Sequence, residues 1–311
     1  MEKLPPFRKL RLLRYALAVL FSMMSLTGCT SEVGAGQEIQ ATGTQDSSES
    51  AESRQVPSDQ APAANQPVST PPAAIEIAWS KIPGEIRDIG IGGVDEQAIW
   101  VVGGESVPGG FEVSYWTGSG WDIIEDSAAV AIDVGPSGYP WIVTRENRIF
   151  EWTGTDWAER PGEARDIGIG ADGSVWIIGT DPVPGGYSIR RWTETSWEGV
   201  PGGAVAIDVY ARGDLDEQRQ GEPWMVNADH QISRWDGSEW ERQPGEAQDI
   251  GVGANGAVWI IGTTPTTGGY NIATWNGEDW AAAPGGGVRI SVNPDGFPFA
   301  VTDDQQLLQG T

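Results

Sequence analysis

The chain has 311 residues, 44 of them acidic and 19 basic, for a formal net charge of −25, with one histidine and one cysteine. Nucleic acid and anionic membrane surfaces are thereby excluded as partners, because phosphate recognition needs clustered Lys and Arg. A lone Cys rules out an intrachain disulfide, and one His beside one Cys rules out a zinc centre of the His/Cys type.

The N-terminus reads as a leader. Residues 1–14 carry Lys3, Arg8, Lys9, Arg11 and Arg14, and residues 15–25 (YALAVLFSMMS) are apolar. A charged stretch before a short apolar run is a secretory signal, too short for a comfortable membrane span. Leu26-Thr27-Gly28-Cys29 resembles the lipobox of bacterial lipoprotein precursors. That resemblance implies a signal peptide over 1–28, cleavage before Cys29 and diacylation of its thiol, which tethers a protein to a membrane face without spanning it. Thr30 is not Asp, which by the same resemblance favours the outer membrane in a Gram-negative cell envelope. Residues 29–74 are rich in Ser, Thr, Gln, Ala, Pro and Glu, and they read as a disordered tether that cannot bury enough apolar surface to order itself. Without the leader's five cations and Glu2, the charge becomes about −29, and Lys81 is the sole lysine.

From residue 75 the chain repeats. A leading Trp recurs at Trp79, Trp121, Trp157, Trp197, Trp240 and Trp280. A second set, Trp100, Trp141, Trp176, Trp224 and Trp259, has Phe299 in its sixth place. A third, Trp116, Trp152, Trp192, Trp235 and Trp275, has Gly310 there, and the three sets account for all 16 tryptophans. Within each unit, short alternating or apolar runs are punctuated by Gly, Pro and Asp, the pattern of an all-β unit of about four strands. Odd units read RDIGIG, RDIGIG and QDIGVG and carry a Gly/Pro-rich segment; even units read AIDV, AIDV and RISV. This predicts three copies of a two-blade module in a six-bladed β-propeller over 75–311. The last unit lacks a final strand, which the N-terminal segment Ile75–Trp79 can supply to close the ring.

Units of the form W-x-x-x-P-G … I-x-[VI]-G-x-x-G-x-V-W … I-x-x-W-x-G-x-x-W resemble tectonin β-propeller repeats. The resemblance implies a lectin-like protein that binds glycans or bacterial surface polysaccharide without catalysis, in pockets between adjacent blades. The alternating units and the lipoprotein leader depart from that family's pattern. A protein scaffold docking an envelope partner is the alternative function, and a carboxylate-using propeller lyase or hydrolase a further one.

Candidate binding residues follow from the Gly/Pro segments of the odd units, 103–110, 179–186 and 262–269, read as loops on one rim. Each ends in an aromatic residue, Phe111, Tyr187 or Tyr270, and each is followed by Trp116, Trp192 or Trp275. Aromatic faces suit the apolar C–H faces of sugars, and loops on a rigid scaffold are where binding residues concentrate. Most other tryptophans read as packing. Gly168–Gly173 and Gly251–Gly256 spell GxGxxG but run into strands, so they read as hairpin turns, not a nucleotide site. His230 reads as a solvated turn, and the insertion 211–220, with Arg212-Gly213-Asp214, as a tolerated surface loop. Asp88, Asp133, Asp166, Asp208 and Asp249 recur around the ring, with Ser291 in the sixth place. They read as structural acceptors for backbone N–H groups, with calcium binding the alternative. No cofactor, catalytic residue or metal ligand is assigned.

Overall fold

The computed structural model describes residues 72–93, 97–210 and 221–311. The leader, Cys29, most of the tether and the insertion at 211–220 lie outside the described residues. Among the described residues the chain is all strand, with no helix. β1 (Trp79–Ile82) stands apart from the strands that follow it. β2 (Ile86–Gly92), β3 (Ala98–Val107), β4 (Gly110–Trp116) and β5 (Trp121–Ala129) form one antiparallel sheet in chain order. β6 (Ala131–Val134), β7 (Pro140–Val143), β8 (Arg148–Trp152) and β9 (Trp157–Glu163) form the next. β10 (Asp166–Ile169), β11 (Val175–Val183), β12 (Gly186–Trp192) and β13 (Trp197–Ala204) form a third.

A seven-stranded sheet follows: β14 (Ala206–Tyr210), β15 (Glu222–Val226), β16 (Gln231–Trp235), β17 (Trp240–Val252), β18 (Val258–Thr266), β19 (Gly269–Trp275) and β20 (Trp280–Gly287). Last come β21 (Arg289–Val292), β22 (Pro298–Val301) and β23 (Leu307–Gly310), in a sheet of order β1-β23-β22-β21. The sequence predicts separate four-stranded sheets throughout, and the seven-stranded sheet departs from that. Its cause is β17, 13 residues long, whose first part pairs with β16 and whose last part pairs with β18. The connection that is interrupted at Val130 and Val205 elsewhere stays extended here.

The arrangement is propeller-like. β2 lies against β6, β6 against β10, β10 against β14 and β14 against β17, while β21 lies against both β17 and β2. The odd inner strands can approach their neighbours because they carry Gly: a Cβ on Gly90 would sit 2.7 Å from the Cα of Asp133. The second tryptophan set, with Phe299, is buried between the sheets. The first set opens each outer strand and the third closes the strand before it, so Trp116 faces Trp121, Trp192 faces Trp197 and Trp275 faces Trp280 across the ladder. Trp79 faces Gly310, where a Cβ would run into Ile77; Ile77 therefore occupies the place of the missing third Trp.

Five of the six leading tryptophans also bond to the Pro of the preceding repeat. Trp121 donates its indole N–H to Pro83 O (2.6 Å), Trp197 to Pro161 O (2.6 Å), Trp240 to Pro201 O (2.7 Å), Trp280 to Pro244 O (2.8 Å) and Trp79 to Pro284 O (2.8 Å). The Gly after each Pro has positive φ and lies under the indole, as at Gly202, where a Cβ would meet Trp240 Nε1 at 3.0 Å. In β5 this Pro-Gly is replaced by Glu125-Asp126, with Asp126 forced to φ 56°, and Trp157 Nε1 is buried without a partner. A buried unpaired donor is a local weakness. Restoring Glu125→Pro with Asp126→Gly is expected to raise stability by about 1 kcal/mol in urea unfolding. Trp240→Phe should cost about as much and Trp157→Phe distinctly less; equal losses from the two Phe variants would contradict this reading.

Candidate functional site

The repeated aspartates lie on the inner strands and line a cavity of about 120 Å³ between them. Each carboxylate accepts a backbone N–H from the next inner strand. Asp88 takes Ile132 (3.0 Å), Asp133 takes Ile169 (2.6 Å), Asp166 takes Ile207 (3.0 Å), Asp208 takes Val252 (2.6 Å) and Asp249 takes Ile290 (2.8 Å). The structural reading of these residues made from sequence is what the geometry shows. They stand in two layers, because Asp133 and Asp208 occupy the register of Gly90 and Gly168 in the odd strands. Asp88, Asp166 and Asp249 therefore share one layer, and Asp133, Asp208 and Ser291 the other.

The third module differs in charge. Where the first two have Ala131 and Ala206, it has Arg289, and where they have Asp133 and Asp208 it has Ser291. Arg289 Nε lies 3.7 Å from Asp88 Oδ1. Burial pushes the carboxyl of Asp166 up to about 8, and Asp249 and Asp88 add to the rise while Arg289 opposes it. Burial likewise raises Asp88 and Asp208 to about 7, and Asp249 to about 6. Asp133 is held well above the usual range by burial and then by Asp208. Among the described residues, no group of three or more His, Cys, Asp or Glu side chains is disposed to hold a metal ion.

The two ends of the inner strands differ in polarity. Val130 and Val205 are about two-fifths exposed on the cavity lining, beside Arg165 and Gln248. At the other end Ile91, Val134, Ile169, Val209, Val252 and Val292, one from each inner strand, are all buried around a void of only about 30 Å³.

The aromatic candidates of the odd units are differently placed. The segments 103–110, 179–186 and 262–269 are not open loops. They are the ends of the hairpins β3–β4, β11–β12 and β18–β19, joined by two-residue turns at Pro108-Gly109, Pro184-Gly185 and Thr267-Gly268. The glycine of each turn has φ near 90°, as a type II turn requires at that position. Phe111 lies under the guanidinium of Arg87 (4.0 Å to the ring centre), with Arg145 at 5.3 Å, and Tyr187 lies under Arg165 (3.9 Å). Tyr187 and Tyr270 pack on core clusters. Trp116 and Trp192 pack against Trp121 and Trp197, with ring centres 4.9 and 4.8 Å apart. His230 sits in an exposed turn at φ 63°.

Trp275 lines an open pocket, of about 340 Å³, between β14–β16 and β18–β19. Tyr210, Trp224, Glu222, Arg234, Asn255 and Gly256 complete it. Trp275 and Tyr210 are half-buried, and Arg234 Nη2 meets Glu222 Oε2 at 3.2 Å. This volume is that of a small-ligand site, and an aromatic wall with a few fixed polar groups is its usual lining. The polar half, Glu222, Arg234 and Asn255, is missed in the sequence because it joins two units; only the spacing of Arg234 one residue before a third-set Trp pointed there.

The sequence matches the family model described as Tectonin domain over residues 110–184 and 212–309. No curated protein sequence matches the chain. Among solved structures, a calcium-binding protein, regucalcin, from Agrobacterium tumefaciens superposes with a TM-score of 0.53 at 12% identity, covering 76% of this chain and 95% of that one. A luciferin-regenerating enzyme gives 0.51 at 12% identity with the same coverage. A streptogramin B lyase gives 0.50 at 15%, over 76% of this chain and 97% of that one. At these identities the likeness shows the fold alone.

The raised carboxyls carry a consequence for stability. A group protonated more readily folded than unfolded stabilises the fold at low pH, and that contribution is lost as pH rises from about 4 through its folded value. Melting temperature is therefore expected to fall between pH 5 and pH 9. Asp166→Asn keeps an acceptor for Ile207 and should flatten the fall; a slope unchanged in that variant would contradict the assignment.

Proposed function

The chain belongs to the tectonin family, and from that premise we propose that it is a carbohydrate-binding, non-catalytic propeller of the bacterial cell envelope, lipid-anchored at Cys29. The pocket between β14–β16 and β18–β19 carries the reading. Trp275 and Tyr210 offer half-buried aromatic faces for the C–H face of a sugar ring, and the Arg234–Glu222 pair and Asn255 offer donors and acceptors for its hydroxyls. The proposed ring has six blades, with the seven-stranded sheet counted as two blades sharing β17. Six inner strands, six Trp-led outer strands and the pairing of β1 with β23 support it. In this reading the segment between Cys29 and the propeller tethers it to the membrane, with surface polysaccharide or glycan as the partner.

A glycan array probed with the full chain, including methylated sugars and bacterial polysaccharides, tests this. A specific hit is expected that Trp275→Ala weakens about tenfold or more, while Tyr187→Phe leaves it unchanged. A blank array from folded protein, or a hit indifferent to Trp275→Ala, would overturn the reading.

A further inference from the structure

The pocket beside Trp275 has a counterpart position in the first module, and the two differ in charge. Aligned on their tryptophans, Trp224 and Trp275 take the places of Trp141 and Trp192, and Tyr210 that of Gly135. Arg234 stands where Glu151 does, and Asn255 where Asp172 does. In the first module Glu151 is paired with Arg160, and Asp172 has no ion pair among the described residues, so one carboxylate is left unbalanced. In the second module Glu222 is paired with Arg234 and Asn255 is neutral, so none is. Arg234 is the accessible member of its pair, with its side chain 39% exposed against 11% for Glu222. The pocket thus presents a cation on the surface of a chain whose net charge is −25.

Arg234 is also bonded unlike its relatives. Arg191 holds the same place before a third-set Trp, faces Glu198 across the ladder and donates a hydrogen bond from Nη2 to it (2.7 Å). Arg148 donates two such bonds to Glu159. Arg234 faces Glu241 across the ladder but is paired instead with Glu222, and its guanidinium donates no hydrogen bond among the described residues. A planar fork of N–H groups matches a carboxylate through two parallel bonds. We propose that the sugar taken by this pocket is acidic, a uronic acid or another sugar bearing a carboxylate. The proposal rests on the reading of the pocket as a sugar site. The ligand carboxylate meets the Nη groups of Arg234, while the C–H face of the ring lies on Trp275. The less exposed Glu222 holds the guanidinium in place, and Asn255 avoids the repulsion that an Asp there would add. At the junction of the last and first units, Asn293 and Gln309 take the places of Tyr210 and Arg234, so one acidic sugar is bound per chain.

Tryptophan fluorescence of the full chain tests the proposal, titrated at pH 7 with the methyl glycosides of glucose, galactose and mannose and with the corresponding methyl uronides. At least one uronide is expected to bind with a single-site isotherm, about tenfold or more tighter than its neutral partner. Raising sodium chloride to about 1 M, where the screening length is about 3 Å, should shrink that ratio. Arg234→Gln should bring the ratio close to one. Asn255→Asp should lower it about threefold. This second variant keeps the Oδ1 acceptor for Ala257 N–H, as Asp172 does for Ser174, so loss of the fold cannot account for the change. A neutral glycoside bound as tightly as its uronide overturns the proposal and leaves the sugar site standing. No saturable response to any of these sugars from folded protein overturns both. A preference for the uronide that survives Arg234→Gln also overturns the proposal.

Discussion

A carboxylate that accepts the backbone N–H of the neighbouring inner strand is the bond on which the centre of this molecule depends. Inner strands of neighbouring repeats touch one another but are not paired as a ladder, so their N–H groups need other acceptors. Asp88, Asp133, Asp166, Asp208 and Asp249 supply them, each reaching across one junction. The arrangement concentrates negative charge where water is scarce, and burial answers by raising the carboxyls. The third module relieves the load twice over, by Arg289 in place of Ala and Ser291 in place of Asp. Closeness at these junctions also dictates glycine at 90, 168 and 251, because a side chain there would strike the next strand.

A second set of bonds works at the outer edge. Indole N–H groups hold every leading Trp but Trp157 to the Pro carbonyl of the preceding repeat, and the paired tryptophans pack at ring distances near 5 Å. Most of the 16 tryptophans are thus structural. Trp275 belongs to the same framework, yet it also faces the pocket beside Tyr210, so one residue links the packing of the sheets to the proposed sugar site.

Much of this was legible in the sequence. Three tryptophan sets in constant register announced the repeat, and the alternation of RDIGIG with AIDV announced the two kinds of unit. The aspartates' role as backbone acceptors followed from their repetition. The Gly/Pro segments misled: Pro-Gly-Gly reads as a loop, but two residues suffice for the turn and the rest remains in the ladder. The continuity of β17 was illegible for a related reason, since Glu246-Ala247-Gln248 has no feature that forbids extended backbone. Arg87 and Arg165 over Phe111 and Tyr187 were missed because the partners are far apart in sequence, and the Arg234–Glu222 pair because it meets Trp275 only across a junction.

The central claim is that the inner aspartates are buried acceptors bonded from strand to strand. It is tested most directly by following the side-chain carboxyl carbons of Asp in a carbon-13 labelled sample by NMR from pH 3 to pH 9. Five carboxyls are expected to titrate well above the rest, with Asp166 among the highest, and to be lost one at a time in the corresponding Asn variants. Carboxyls that all titrate near pH 4 would contradict the account, because solvated side chains cannot be the bonds that hold the inner strands together.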